Sequence, residues 1–274
     1  MFSKPAPFVG VGFFMGWMLA TIAMVEYPMK PMEQEIKNSN GEILDYTFHA
    51  GQEKARNLLI IGHGVTGNKD RPFVVALANA VAAEGMPVLR FSFSGNGSSG
   101  GDFRHSTISK EVDDLKAVVT AAHDNGYRVI YAGHSMGGAV GVLTAASDDR
   151  IRFLISLAGM VNTKAFYERE FGEETPDSGC MWEEPSCPLS SSFKNDLESI
   201  VSTAPRAANI TIPWLLVHGT EDDVVPITDS QEIFALANEP KKLVELPGAN
   251  HVFSETAEQL MIEAVINWIG ESLR

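Results

Sequence analysis

Positive charge is scarce in this sequence: 21 Lys and Arg stand against 35 Asp and Glu, a net charge of −14. No Lys/Arg run offsets the acidic excess, so phosphates would be repelled and nucleic acid is excluded as a partner. Cysteine is scarcer still, with Cys180 and Cys187 alone in 274 residues. There is no CxxC pair and no histidine beside them, so a structural zinc site is excluded. Neither a metal nor an organic cofactor is implied by any other cluster. Internal repeats are also missing, which removes solenoid and propeller architectures. What remains is ordinary: 45% apolar residues and enough length for one large domain with a buried core.

Long apolar runs are limited to one. Phe8 to Val25 is an uncharged stretch between Lys4 and Glu26, just long enough to span a bilayer core. Residues 1–31 are therefore read as an N-terminal extension, and three readings of it stay open. It is a membrane anchor, a signal peptide cleaved near Thr21-Ile22-Ala23, or a segment the mature protein does not need, with Met32 as a working start. The first and third, giving an anchored or a cytoplasmic protein, are favoured over secretion.

From Met32 to Arg274 strand-like and helix-like segments alternate, the pattern of an α/β domain with a mostly parallel sheet flanked by helices. Leu44 to Phe48 alternates as an edge strand does, whereas Asn57 to Ile61, Val88 to Phe93, Arg128 to Ala132, Phe153 to Leu157, Trp214 to Val217 and Leu243 to Leu246 are buried-strand runs. Helices are expected over Arg71–Glu84, with Pro72 in its first turn, over Ile108–His123, over Gly138–Ala146 and over Ser254–Ser272. Asn162 to Asn209 interrupts the alternation. It holds both cysteines, four prolines (Pro176, Pro185, Pro188, Pro205) and many acids, and reads as a lid insertion over the strand ends.

The chemistry concentrates at Gly133-His134-Ser135-Met136-Gly137. A G-x-S-x-G between a strand and a helix is a nucleophile elbow, in which small neighbours let the chain fold back and lift the hydroxyl out of a strained turn. A serine needs a base, and the base needs an orienting carboxylate. Two histidines follow Ser135. His218 ends a strand and reads as a packing or turn residue, while His251 hangs on a loop between the last strand and the last helix, where a base belongs. Glu221, Asp222 and Asp223 offer three acids on one strand-end loop; Asp222 is preferred, the other two staying open. Backbone N–H groups of Met136 and, after the first buried strand, Val65 would form the oxyanion hole. Gly95 to Gly100 spells G-x-G-x-x-G, but no helix opens at once after it, so it reads as a tight loop and not as a dinucleotide site. His63, His105 and His134 have no evident partners.

Together these segments resemble the α/β-hydrolase superfamily over Met32 to Arg274, in detail the lid-bearing bacterial esterases such as cinnamoyl and feruloyl esterases, and monoacylglycerol-lipase-like and S33-type serine hydrolases. Gly62 to Lys69 is similar to the oxyanion loop, Arg90 to Ser99 to an R-F-D-F-x-G-x-G-x-S segment, Gly133 to Gly138 to the elbow, Gly219 to Pro226 to the acid loop and Gly248 to Phe253 to the histidine loop. Ser92 and Asn96 stand where that segment usually has Asp and His, so its internal hydrogen bonds must differ. The resemblance implies hydrolysis of a small-molecule carboxylic ester through Ser135, Asp222 and His251, with activity rising with pH near 7 because the imidazole must be neutral to act. Two alternatives stay open. One is an S33-type aminopeptidase, with Glu168, Glu170, Glu173, Glu174, Glu183 and Glu184 holding a substrate amine. The other is a non-catalytic ligand-binding protein. Cys180 and Cys187 would form a disulfide in an exported chain and stay thiols in the cytosol. Acyl specificity and oligomeric state are not written in the sequence.

Overall fold

Leu58, Leu59, Ile60 and Ile61 are all fully buried, which requires cover on both faces of the strand that carries them. A computed structural model describes Met1 and residues 32–53 and 55–273; the apolar run Phe8–Val25 lies outside the described residues. Among these residues no helix is long and apolar enough to cross a membrane. The strand in question, β4 (Asn57–Gly62), sits inside a seven-stranded sheet. Two short strands precede it, β1 (Ile36–Lys37) and β2 (Ile43–Leu44), an antiparallel pair outside the main sheet. The other members of the sheet are β3 (Tyr46–His49), β5 (Val88–Phe91), β6 (Arg128–His134), β7 (Ile151–Leu157), β8 (Trp214–Gly219) and β9 (Lys241–Leu246). Their order is β3-β5-β4-β6-β7-β8-β9, all parallel except the edge strand β3, which runs antiparallel to β5.

Period-two alternation divides the core in two. Leu58 and Ile60 face one cluster with Leu89, Val119 and Leu154, while Leu59 and Ile61 face the other with Leu77, Ile155 and Val265. The second cluster is covered by α1 (Pro72–Ala83) and α7 (Thr256–Ser272), the first by α2 (Ile108–Asp124) and α3 (Met136–Ala145). Pro72 occupies the first turn of α1, where its missing N–H costs nothing. Thr107 caps α2, its hydroxyl accepting from Lys110 N at 3.2 Å. Each fully buried Leu or Ile of this kind contributes roughly 1.5–3 kcal/mol of transfer free energy.

The expected Leu44–Phe48 strand breaks at Asp45. Ile43 and Leu44 pair with β1, and only Tyr46 onward joins the sheet, because Asp45 N donates to Ser99 Oγ and Asp45 O accepts from Ser92 N. Two helices occupy the span from Asn162 to Asn209, α4 (Thr163–Phe171) and α5 (Ser191–Ile200), the latter capped by Ser190 Oγ. A further helix, α6 (Ile227–Leu236), starts directly after Pro226 and was not anticipated by the periodicity. Cys180 and Cys187 are free thiols, so the disulfide considered for an exported chain is not formed; the local pairing sets Pro188, not Cys187, opposite Cys180.

Gly95 to Gly100 is a turn and not a nucleotide cradle. Asn96 N donates to Phe93 O, Gly95 N to Gly100 O, and no helix opens before α2 apart from a short turn at Phe103–His105. Asn96 Nδ2 donates to Ser94 O and Ser106 Oγ, and Ser92 Oγ accepts from Lys69 N, which are the bonds that Ser92 and Asn96 make in place of the Asp and His usual there. Behind this turn Glu111 is fully buried. It accepts from Ser106 Oγ through Oε1, but its Oε2 has no partner among the described residues. Burial first, and then the Asp114 charge, push its carboxyl well above the usual range, so it is held as the neutral acid.

Candidate active site

Parallel strands end together, and the loops leaving their C-terminal ends meet at one edge of the sheet. Here β4, β6, β8 and β9 deliver His63–Gly67, Ser135, Asp222 and His251 respectively to that edge. Ser135 lies at φ 52 and ψ −118, a conformation worth roughly 1–3 kcal/mol of strain for a residue with a side chain. Three backbone bonds hold it there: Ser135 N donates to Leu157 O, and Ser135 O accepts from Gly138 N and Met160 N. Gly133 is required by close approach, since a Cβ there would lie 2.1 Å from Gly137 O. The Ser135 hydroxyl is buried and has no hydrogen-bond partner among the described residues.

Of the three consecutive acids, Glu221 and Asp223 are exposed, and Asp222 alone turns inward. Its Oδ1 accepts from Val224 N and Val225 N at 2.9 and 2.8 Å, and its Oδ2 accepts from His251 Nδ1 at 2.8 Å. His218 approaches the same Oδ2 through Nε2 at 3.2 Å, while that nitrogen also donates to Val225 O at 2.9 Å, and its Nδ1 meets Ser230 Oγ at 2.7 Å. His218 does pack at a strand end, as its position suggests, but it also touches the carboxylate, a contact that its place in the sequence does not reveal. Burial alone would raise the Asp222 carboxyl; the hydrogen bonds from His218 and His251 outweigh it and hold the group well below the usual carboxylate range. It is therefore an anion throughout the neutral range.

His63 and His134 also acquire partners. Phe93 N donates to His63 Nε2 at 3.0 Å, which leaves Nδ1 as the protonated nitrogen, donating to Gly64 O at 2.8 Å. This imidazole pins the loop after β4 to the end of β5, and burial pushes it down to about 4, so it stays neutral. His134 Nε2 donates to His251 O at 2.9 Å, and its ring lies 4.7 Å from those of both Phe73 and His251. Burial, and then the neighbouring His251, push His134 down to about 3. The elbow thus holds the backbone of the histidine loop through the side chain next to the serine. The missed signal was burial: each of these histidines follows or ends an apolar strand.

Gly64 comes close to the serine, a Cβ there falling 3.3 Å from Ser135 Oγ. Gly67 N closes a turn on Gly64 O, with Thr66 at φ 56. Neither the Val65 N–H nor the Met136 N–H donates to another backbone group outside the regular elements among the described residues. Met136 is the first residue of α3, where N–H groups have no intrahelical partner and the dipole favours negative charge.

A cavity of about 320 Å³ opens over these groups, lined by Gly64, Val65, Arg71, Ser135, Trp182 and His251 among others. Trp182 comes from the span between β7 and β8. It lies at φ 46, packs on Phe171 with ring centroids 4.9 Å apart, and donates from Nε1 to Glu170 Oε2 at 3.1 Å. Among the described residues, none that lines the cavity carries a carboxylate side chain. The six acids considered as amine holders stay outside it; Glu170 is bonded to Trp182 and Arg169, and Glu184 to Ser186.

Residues 73–274 match the prolyl oligopeptidase family, a hydrolase family. Among curated relatives, a monoacylglycerol lipase of Mycolicibacterium smegmatis is 26% identical over 88% of this chain and 98% of its own. The uncharacterised protein YfhR of Escherichia coli O157:H7 is 29% identical over 78% of this chain and 70% of its own. Among solved structures, Est1E from Butyrivibrio proteoclasticus with ferulic acid bound superposes with a TM-score of 0.78 at 26% identity, over 88% of this chain and 99% of that one. With the match spanning most of the described residues, the chain belongs to the prolyl oligopeptidase family and carries its α/β-hydrolase fold.

Proposed function

We propose that the chain is a serine hydrolase that cleaves carboxylic esters, with Ser135 as nucleophile, His251 as general base and Asp222 as the orienting carboxylate. The observation that carries this reading is the 2.8 Å contact between His251 Nδ1 and Asp222 Oδ2 at a cavity that also holds the buried, unpartnered Ser135 hydroxyl. Asp222 accepts from Nδ1, so the lone pair of His251 is left on Nε2. That nitrogen takes the Ser135 proton as Oγ bonds to the ester carbonyl carbon. The carbonyl oxygen becomes an oxyanion, received by the N–H groups of Val65 and Met136. Collapse breaks the bond to the alcohol, which leaves with the proton from His251. Water then attacks the acyl-enzyme by the same route and releases the acid. The serine–histidine hydrogen bond is the one contact of this scheme that is not formed; such bonds commonly tighten only when substrate fills the site.

Several features favour an ester over a peptide amine terminus. Among the described residues the cavity lining carries no carboxylate to receive an ammonium group, and relatives along most of the chain include a lipase. The span from Asn162 to Asn209 serves as a lid in this reading, with Trp182 as the side chain that reaches the cavity. A panel of p-nitrophenyl esters and amino-acid p-nitroanilides, run with the native chain and Ser135→Ala, tests the proposal together with labelling by a fluorophosphonate probe. Ester turnover and labelling that both vanish in Ser135→Ala are expected. Undiminished ester turnover in that variant, or no labelling of folded native protein, would refute it.

A further inference from the structure

Among the described residues one Lys or Arg, Arg71, lines the cavity, and this mechanism does not use it. Arg71 precedes α1 at its N-cap position, so its side chain leaves the helix toward the cavity instead of joining a helical face. Its guanidinium donates from Nη2 to Thr66 O at 3.1 Å, which tethers it to the loop that carries Gly64 and Val65. That bond uses one of five N–H donors. The neighbouring cations behave differently: Arg90 pairs with Asp70, and Lys69 with Asp45 and Asp70. Among the described residues no carboxylate pairs with Arg71, although acids outnumber bases by 35 to 21 in the chain. Its charge reaches the cavity floor, where it disfavours protonation of both His63 and His134. With no carboxylate in the lining among the described residues, a negatively charged group on a substrate would meet a positive fork and no opposing anion.

Resting on the ester-hydrolase reading, we infer that Arg71 is a specificity-determining residue, and that the preferred substrates are small esters bearing a second, carboxylate group that the Arg71 guanidinium receives. The guanidinium binds a carboxylate bidentately, whereas it offers an apolar acyl end nothing but a charged, hydrated surface. The site lies partly open to solvent, so the contribution is modest and screened by salt.

The test compares three esters under alkali titration: methyl valerate, which is neutral; monomethyl glutarate, its acyl-side carboxylate analogue; and O-valeryl glycolate, which places the carboxylate on the alcohol side. The quantity read is the ratio of kcat/KM for each anionic ester to that for methyl valerate. In the native chain at least one ratio is expected to exceed unity and to fall with added salt. In Arg71→Gln that ratio should drop about five- to tenfold, and Arg71→Lys should recover part of it as a point charge without the fork. Which anionic ester responds tells on which side of the scissile bond the carboxylate sits. Ratios that stay within about twofold of the native value in Arg71→Gln overturn the inference, because a merely structural role would lower all three esters together and leave the ratios fixed. If methyl valerate is turned over in a Ser135-dependent way while the ratios do not move, the specificity inference alone fails. If none of the three is turned over, the ester reading fails with it.

Discussion

Gly64→Ala tests the proposed oxyanion loop more sharply than any change of charge. A methyl at this position falls 2.8 Å from Ser135 Cβ, 3.0 Å from His134 Nδ1 and 3.3 Å from Ser135 Oγ. Two carbons attract best at about 3.5–4.0 Å, so the new methyl is roughly 0.7 Å too close to the nearest one. Neither neighbour yields easily. Ser135 is held in its turn by three backbone bonds, and the His134 ring is fixed by His251 O and Phe73. The loop itself must retreat, and the Val65 N–H retreats with it. Misplacement on the order of 1 Å costs about 10² in rate, and loss of one oxyanion donor about 10²–10³. The expected result is therefore a fall in kcat of about 10²–10³ on a p-nitrophenyl ester, with an overpacking cost of only about 1–3 kcal/mol in a urea titration. Val65→Ala, which leaves the main chain in place, should cost at least about tenfold less in kcat. Folded Gly64→Ala with kcat within about threefold of the native chain would refute both the placement of this loop and its role.

Two further predictions concern buried groups. Glu111 is held neutral, with a folded pKa above the unfolded one. The stability it contributes is full at pH below the ordinary carboxylate range and is lost as pH rises toward the folded value. Glu111→Gln removes that dependence, so the variant should gain on the native chain between pH 5 and pH 8 in urea midpoints, by up to about 1.4 kcal/mol per pH unit; parallel curves for the two proteins would count against a neutral Glu111. His218→Leu removes a donor from Asp222 and leaves Ser230 Oγ without its partner. Hydrogen bonds to charged groups are worth about 1.5–3 kcal/mol, so a loss of stability in that range is expected, together with a lowered kcat and an altered pH profile. Partial recovery in His218→Gln, which keeps a donor, would separate positioning from packing, and an unchanged pH profile in the leucine variant would rule the positioning role out.

Local chemistry made much of this protein legible in its residues alone. Buried strands announce themselves as short apolar runs, because a strand covered on both faces has no polar side, and β4 through β8 were found to within a few residues for that reason; β9, expected as a buried run at Leu243 to Leu246, is instead a half-exposed edge strand that pairs with β8 alone. The elbow was equally readable, since glycines around Ser135 are a steric requirement that acts over five residues. Pairings between distant residues were not. Glu221, Asp222 and Asp223 are chemically near-equivalent, and only the path of the β8 loop turns Asp222 alone inward to meet a ring 29 residues further on. His63 and His134 looked idle because their partners, Phe93 N and His251 O, lie on other strands' loops, and His218 because the β8 loop folds back to bring Asp222, four residues on, against its ring. Trp182 and Arg71 reach the cavity through turns whose direction no periodicity encodes. The sequence by itself determined the layers of the fold and the position of the strained turn that carries the proposed nucleophile, because burial and backbone strain act over neighbouring residues. Tertiary structure alone decided which acid, which cation and which histidines converge, because that depends on where the strand ends meet across the sheet.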